Sequence, residues 1–407
     1  MSAPKTAIFY GWWVVLASFA VMFVGFGCTY TFSAFVGPLQ REFAASRGSV
    51  SLVFSLAAFL YFSLGVVSGP LADRYGARAF AALGMLFLGA GLVLAGLART
   101  LTEVYVAYGL GVGVGVGISY VPVLGAVQRW FLRRRGFASG LAVSGIGMGT
   151  LVMPALATRL IEWMGWRDAY FALGAFAVVV GVSLSLLIER DPKSRGLEPD
   201  GDPPKAQPGP KPGTGMSVTE AVRSRRFVVL YLSCLSCALG IFVPFVHLAP
   251  YAIDHGVSPT SAALLVGMIG IGSTAGRFFL GGVADRMGRE RAMLATFFGM
   301  ACSLGLWEFS EAFWSLALFA CIYGVFYGGW VAILPTVVMD SFGGRNVGAI
   351  IGLLYTSAGL GTLIGPSAAG FIFDASKSYA WPIAASVAAN VLAAGIMAFY
   401  PRALKPV

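Results

Sequence analysis

Charge is the scarce commodity in this sequence: 11% of its 407 residues are Asp, Glu, Lys or Arg, against roughly 25% in an ordinary soluble domain. With 57% hydrophobic residues, a water-soluble fold could not cover its apolar surface. Cysteine is sparse too. Cys28, Cys234, Cys237, Cys302 and Cys321 all fall inside apolar runs, which excludes a disulfide framework and a zinc site. Cys234 and Cys237 form a CxxC, but in an apolar helix that spacing places two small residues on one face. The chain has no metal cluster, no Ser/His/Asp set, no substantial soluble domain and no Walker motif. Those gaps argue against an intramembrane enzyme and an ATP-driven pump, and nothing in the residues calls for a cofactor.

What is abundant is apolar length. Runs of ~20 residues suffice to cross a bilayer as helix, and only helices or closed barrels satisfy their backbone in lipid. Twelve spans are predicted, at 12–35, 49–71, 79–98, 103–127, 136–158, 166–188, 227–250, 259–283, 291–308, 313–338, 346–371 and 379–400. The first follows Lys5 as a signal peptide's apolar region would, but it is too long for one and is kept as a span. The fold class is therefore an all-α polytopic membrane protein. Its predicted organisation is a six-helix bundle over 1–188, a linker over 189–224 and a second bundle over 225–407. The linker holds Pro192, Pro199, Pro203, Pro204, Pro208, Pro210 and Pro212 among glycines and charges, which is linker chemistry. Near its end, Ser217 to Glu220 has the spacing of a capping box.

The net charge of +10 does not signal nucleic acid, because the basic residues stand in short clusters between spans. They report topology instead. Twenty-one lysines and arginines fall on the side of the termini and six on the other. The positive-inside rule then puts both termini and the linker in the cytoplasm. The expected location is the plasma membrane, in bacteria the inner membrane.

The two halves carry a repeat. Gly69-Pro-Leu-Ala-Asp73-Arg74-Tyr-Gly76-Ala-Arg78 follows span 2, and Gly281-Gly282-Val-Ala-Asp285-Arg286-Met-Gly288-Arg289 follows span 8. A carboxylate at a helix end beside arginines and a glycine turn suits a releasable latch between helices, so Asp73, Arg74, Arg78, Asp285, Arg286 and Arg289 are gating candidates. This doubled motif resembles the signature of the major facilitator superfamily, a twelve-helix fold of two pseudo-symmetric halves. The stretch from Trp130 and Phe131 through Arg133, Arg134, Arg135, Ala138, Gly140, Ser144 and Gly145 to Gly149 resembles the loop-to-span-5 motif of monocarboxylate transporters and oxalate:formate antiporters. The start of span 1, Tyr10-Gly11-Trp12-Trp13, resembles the former only loosely.

One basic residue belongs to neither side: Arg277, within span 8. Intramembrane arginines are expensive and usually face protein or a water-filled cavity. Gly270, Ser273, Arg277 and Gly281 recur at helical spacing, a row of small residues suited to helix contact. No acid in the spans is placed to be its permanent partner, so the substrate carboxylate is the expected counter-ion. The resemblance implies the same, since both families use an arginine of this span on the substrate. Two departures matter. Ser273 stands where human-type monocarboxylate transporters have a proton-linked aspartate, and Ala358 follows Tyr355-Thr356-Ser357 where the oxalate antiporter has a lysine. One fixed cation suits a monocarboxylate better than oxalate.

The remaining cavity candidates are Tyr30, Tyr120, Tyr327, Trp330, Tyr355 and Ser357. The glycine series from Gly109 to Gly117 lies in an apolar helix and reflects close packing, not a nucleotide loop. His247 and Asp254 are the proton-coupling candidates. The expected function is secondary active transport of a small monocarboxylate such as lactate or pyruvate with a proton, by alternating access. The alternative is carboxylate exchange of the oxalate/formate kind. The expected partners are that carboxylate, the proton and the lipid bilayer, with no nucleic acid and no metal.

Overall fold

The computed structural model describes residues 9–201, 215–343 and 345–401, without the side chains of Asp73, Arg135 and Asp285. Its first membrane-crossing unit is split: α1 (Gly11–Tyr30) hands over at Thr31 to α2 (Phe32–Phe43). At the break, Thr29 donates its hydroxyl to the Gly25 carbonyl and Thr31 to the Cys28 carbonyl. Then come α3 (Arg47–Tyr75) and α4 (Ala77–Leu97). The next crossing starts with α5 (Leu101–Val104), widens into π turns over Tyr105–Leu110 and continues as α6 (Gly111–Trp130).

The helix α7 (Arg135–Phe176) is two crossings in one, because Gly165 at φ 84° and ψ 165° turns the chain back. Such a φ is open to glycine without a Cβ clash. Further π turns and the short α8 (Ser183–Ser185) complete the descent.

After the linker, α9 (Val218–Arg223) starts with both halves of the expected capping box: Ser217 and Glu220 exchange side-chain-to-backbone hydrogen bonds. The crossing that follows is again split, into α10 (Arg225–Ile241) and α11 (Val243–Asp254), at Phe242. Pro244, lacking a backbone donor, suits the first turn of α11. Then come α12 (Pro259–Met287), α13 (Arg289–Glu308), α14 (Phe313–Phe342), α15 (Val347–Ser376) and α16 (Ala380–Ala398).

Ten helical stretches among the described residues are long and apolar enough to cross a membrane. Gly165 divides one of them into two, and α13, whose first turn carries Arg289, Glu290 and Arg291, supplies the remaining crossing of the expected twelve. Helices of 29–30 residues such as α3 and α15 measure about 44 Å, more than a ~30 Å hydrocarbon core. Their polar ends stay helical where the apolar runs had stopped.

The repeat is visible in the backbone. Gly76 and Gly288 close α3 and α12 with φ 98° and 93° and ψ 138° and 132°, their amides donating to Ala72 and Ala284. Equivalent residues thus make the same turn in each half.

The halves meet along α3 against α15 and α7 against α12. Both crossings depend on absent side chains. A Cβ on Gly270 would sit 2.6 Å from the Gly147 carbonyl oxygen, and one on Gly370 would sit 2.6 Å from the Gly48 Cα.

Candidate functional site

Between the halves lies a cavity of about 870 Å³. Its walls are the last turns of α3 (Gly65, Gly69, Pro70), the second half of α6, the start of α7, the middle of α12, the second half of α14 and the start of α15. It therefore opens on the face that carries Trp130, Arg135 and the linker, here the terminal face. The opposite, distal end is filled by aromatic side chains. Tyr30 stacks on Phe245 at 4.7 Å, across the breaks in the two split crossings, and Phe245 packs edge-on against Tyr327 at 5.3 Å.

Arg277 reaches this cavity from the middle of α12. Its Nη1 donates to the Val143 carbonyl of α7 at 3.2 Å, while its Nε is buried and has no partner. No carboxylate pairs with it among the described residues, and no Asp or Glu appears among the residues lining the cavity. The guanidinium points between the bundles and bonds across to the other half. The second cation of the wall, Arg129, lies at the mouth and donates to the Arg190 carbonyl.

The structure draws together some of the expected residues and separates others. Tyr120 and Tyr355 line the cavity with Arg277. Tyr30 and Tyr327 are buried around Phe245 beyond its distal end and do not line it. Ser273 and Trp330 are buried with unpartnered polar atoms but do not line the cavity. Ser357 is buried and bonds the Leu354 carbonyl of its own helix. The small-residue row of α12 serves packing on two sides, Gly270 against α7 and the Ser273 backbone against Gly328 of α14.

Two hydroxyls join the site unannounced. Ser139 of α7 lines the cavity with an unpartnered buried Oγ, and Tyr61 of α3 has an unpartnered buried hydroxyl against Phe26 at the distal end. Serines and tyrosines are common in the spans, and neither residue carries a local pattern that marks it.

Of the gating candidates, the side chains of Asp73 and Asp285 lie outside the described residues. Arg78 pairs with Glu189 at 2.5 Å and donates to the Ile188 carbonyl, and Arg289 pairs with Asp340 at 2.7 Å. Neither of these pairs joins one bundle to the other. Arg74 is exposed over the Tyr75 ring, and Arg286 is exposed.

His247 stands in the first half of α11. It is fully buried, its ring nitrogens 2.8 Å from the Pro366 carbonyl oxygen, 3.2 Å from the Tyr379 hydroxyl and 3.3 Å from Ser51 Oγ. Ser51 of α3, Pro366 of α15 and Tyr379 just before α16 enclose it. Asp254 is half-exposed and pairs with Arg47.

A membrane-embedded pair of helical bundles with a deep central cavity open to one face is the architecture of a solute carrier. The chain belongs to the Major Facilitator Superfamily, whose pattern matches residues 17–250 and 228–406; it is a multi-pass transporter and not an enzyme. It is 29% identical over 379 residues to monocarboxylate transporter 11 of Homo sapiens, covering 91% of this chain and 78% of that protein. It is 27% identical over 394 residues to monocarboxylate transporter 12 of Rattus norvegicus, covering 91% and 81%. Its fold is similar, with a TM-score of 0.71 at 17% identity over 98% of this chain and 97% of the other, to the crystal structure of a bacterial homologue of the human lysosomal transporter Spinster in an inward-facing and unoccupied conformation.

Proposed function

We propose that this protein carries small monocarboxylates of the lactate and pyruvate kind across the membrane, with a proton, by alternating exposure of the central cavity to the two faces. The observation that carries the reading is Arg277, a guanidinium with an unsatisfied buried Nε in a cavity wall that has no acid among its described residues. A planar fork of donors in a partly desolvated site binds one carboxylate bidentately and leaves an uncharged ligand behind. Tyr30, Tyr120, Tyr327 and Tyr355 supply hydroxyls and apolar ring faces for the rest of a small organic acid. The monocarboxylate transporters to which the chain is similar support this substrate class. His247 and Asp254 are the protonatable side chains proposed for coupling. The excess of basic residues on the terminal face supports a cytoplasmic linker and termini in a plasma membrane.

Exchange of oxalate for formate is the second reading, which Ala358 argues against by placing no cation on α15, the other cation of the wall being Arg129 at the mouth. The test is uptake of labelled lactate into proteoliposomes, with and without an inward proton gradient, by the wild type and Arg277→Ala. Gradient-stimulated uptake that Arg277→Ala abolishes is the expected result. Normal uptake by that variant would remove the arginine from the site, and uptake indifferent to the gradient but driven by internal oxalate would establish exchange.

A further inference from the structure

The distal face is shut by a second cluster of charge that plays no part in holding the substrate. At the start of α3, Arg47 makes a two-pronged pair with Asp254 of α11, Nη1 at 2.6 Å from one carboxylate oxygen and Nη2 at 2.8 Å from the other. The same Nη1 bonds the Tyr379 hydroxyl at 2.9 Å, and the guanidinium lies over the Phe373 ring at 4.2 Å. Every one of these contacts crosses from the first half to the second.

Beside them stands an acid in an unexpected place. Asp374 occupies the last turn of α15, where the helix dipole disfavours negative charge. Its carboxylate instead reaches the start of α3 and accepts the backbone N–H of Arg47 at 3.0 Å and of Gly48 at 2.8 Å. Those are two of the four donors that a helix start leaves unpaired. Ser46 of the same helix takes the Ser49 N–H. The positive end of α3, in the first half, is thus capped by a side chain of the second.

The backbones are pressed together at the same level. A Cβ on Gly48 would come within 2.7 Å of the Phe371 backbone nitrogen, and one on Gly370 within 2.6 Å of the Gly48 Cα. The contact is shut by charge and admits no added atom.

We propose that Arg47, Asp254 and Asp374 form the latch of the distal gate, and that the cap of Asp374 on α3 is the contact that must part for the cavity to open on that face. Rotation of the bundles removes the acceptor from the Arg47 and Gly48 amides and the ion pair from Arg47 in one movement, while water replaces both. The latch therefore sets the balance between the two exposed states without touching ligand. Asp254 serves both readings, as a candidate for coupling and as the partner of Arg47; Arg47 and Asp374 serve the latch alone, and its test needs no substrate.

The measurement is the spin–spin distance between nitroxide labels at position 41 on α2 and position 311 before α14, in a background without the native cysteines, reconstituted without ligand. The wild type is expected to show mostly the short distance of the closed distal face. Asp374→Asn keeps one acceptor, loses the charge and adds a donor facing a donor. Loss of a charge-assisted bond should raise the ratio of long to short distances about tenfold. Gly370→Ala should do the same by wedging the backbones apart, and Asp254→Asn, at a half-exposed position, should do so by about threefold. Lys377→Gln, a nearby exposed charge outside the latch, should leave the ratio unchanged. Unchanged distances in Asp374→Asn and Asp254→Asn overturn the proposal. So does an equal response to Lys377→Gln, because the effect would then belong to surface charge in general. Loss of lactate uptake with unaltered distances would count against the latch and leave the carboxylate reading standing.

Discussion

At the scale of single residues, the protein is organised around one costly side chain. A cation in a membrane span is retained only where partners or water compensate it, and Arg277 has one carbonyl partner at 3.2 Å and an unpaired Nε. A bound carboxylate would complete that set. If so, the geometry of the fork matters as well as the charge. Arg277→Ala is expected to weaken binding by ~2–5 kcal/mol, the usual cost of truncating one partner of a desolvated pair. Arg277→Lys should recover only part of it, because an ammonium cannot present two parallel donors. Ala358 is buried on α15 one turn from Tyr355. Ala358→Lys is expected to shift preference from lactate towards oxalate, read as competition by lactate, formate and oxalate against labelled substrate. A strong oxalate preference in the wild type would contradict the assignment.

At the scale of elements, the helix ends show how the chain is stitched below the bundles. Asp200, in the linker, accepts the backbone N–H groups of Leu132 at 3.0 Å and Arg133 at 2.9 Å, just before α7. Partial burial works against its charge, but the N–H groups of Arg133, Leu132 and Arg134 outweigh it and hold the carboxyl below the usual carboxylate range. A carboxyl whose acidity is enhanced by folding stabilises the docked linker above its ordinary titration range, and that contribution fades as pH falls through the lowered value. Asp200→Ala is accordingly expected to weaken the start of α7 by about 0.5–2 kcal/mol, the range of lost helix caps. Hydrogen exchange of amides 132–138 should accelerate in the variant at neutral pH, with the difference from wild type shrinking in acid. An unchanged protection pattern would mean that the linker contact is incidental. The Ser217 cap, by contrast, was legible before any coordinates, because a capping box is made by neighbours in sequence.

At the scale of the whole molecule, the repeated Asp-Arg-x-Gly segments make closely similar turns at Gly76 and Gly288; beyond them Arg78 pairs with Glu189 after α8, and Arg289 with Asp340 near the end of α14. Asp73→Asn and Asp285→Asn are expected to slow transport far more than they weaken substrate binding, since a residue that biases conformations need not touch ligand. The comparison is between transport rate and equilibrium binding of the same labelled acid. Equal loss of both, or loss of neither, would deny these aspartates a gating role.

The membrane-spanning class, the number of crossings, the pairing of the halves and the exceptional status of Arg277 were determined by the sequence itself. Each rests on composition or on neighbours along the chain: apolar length, a motif present twice, a charge where lipid forbids one. Which hydroxyls are left buried in or beside the cavity was decided only by tertiary structure, because Ser139 and Tyr61 look like many other span residues until six helices surround one space. The same holds for His247, which packing encloses completely, and for Asp374, which caps a helix 327 residues away from it in sequence. Periodicity assigns a residue to a face of its own helix. Only the packing of the two bundles decides what that face meets.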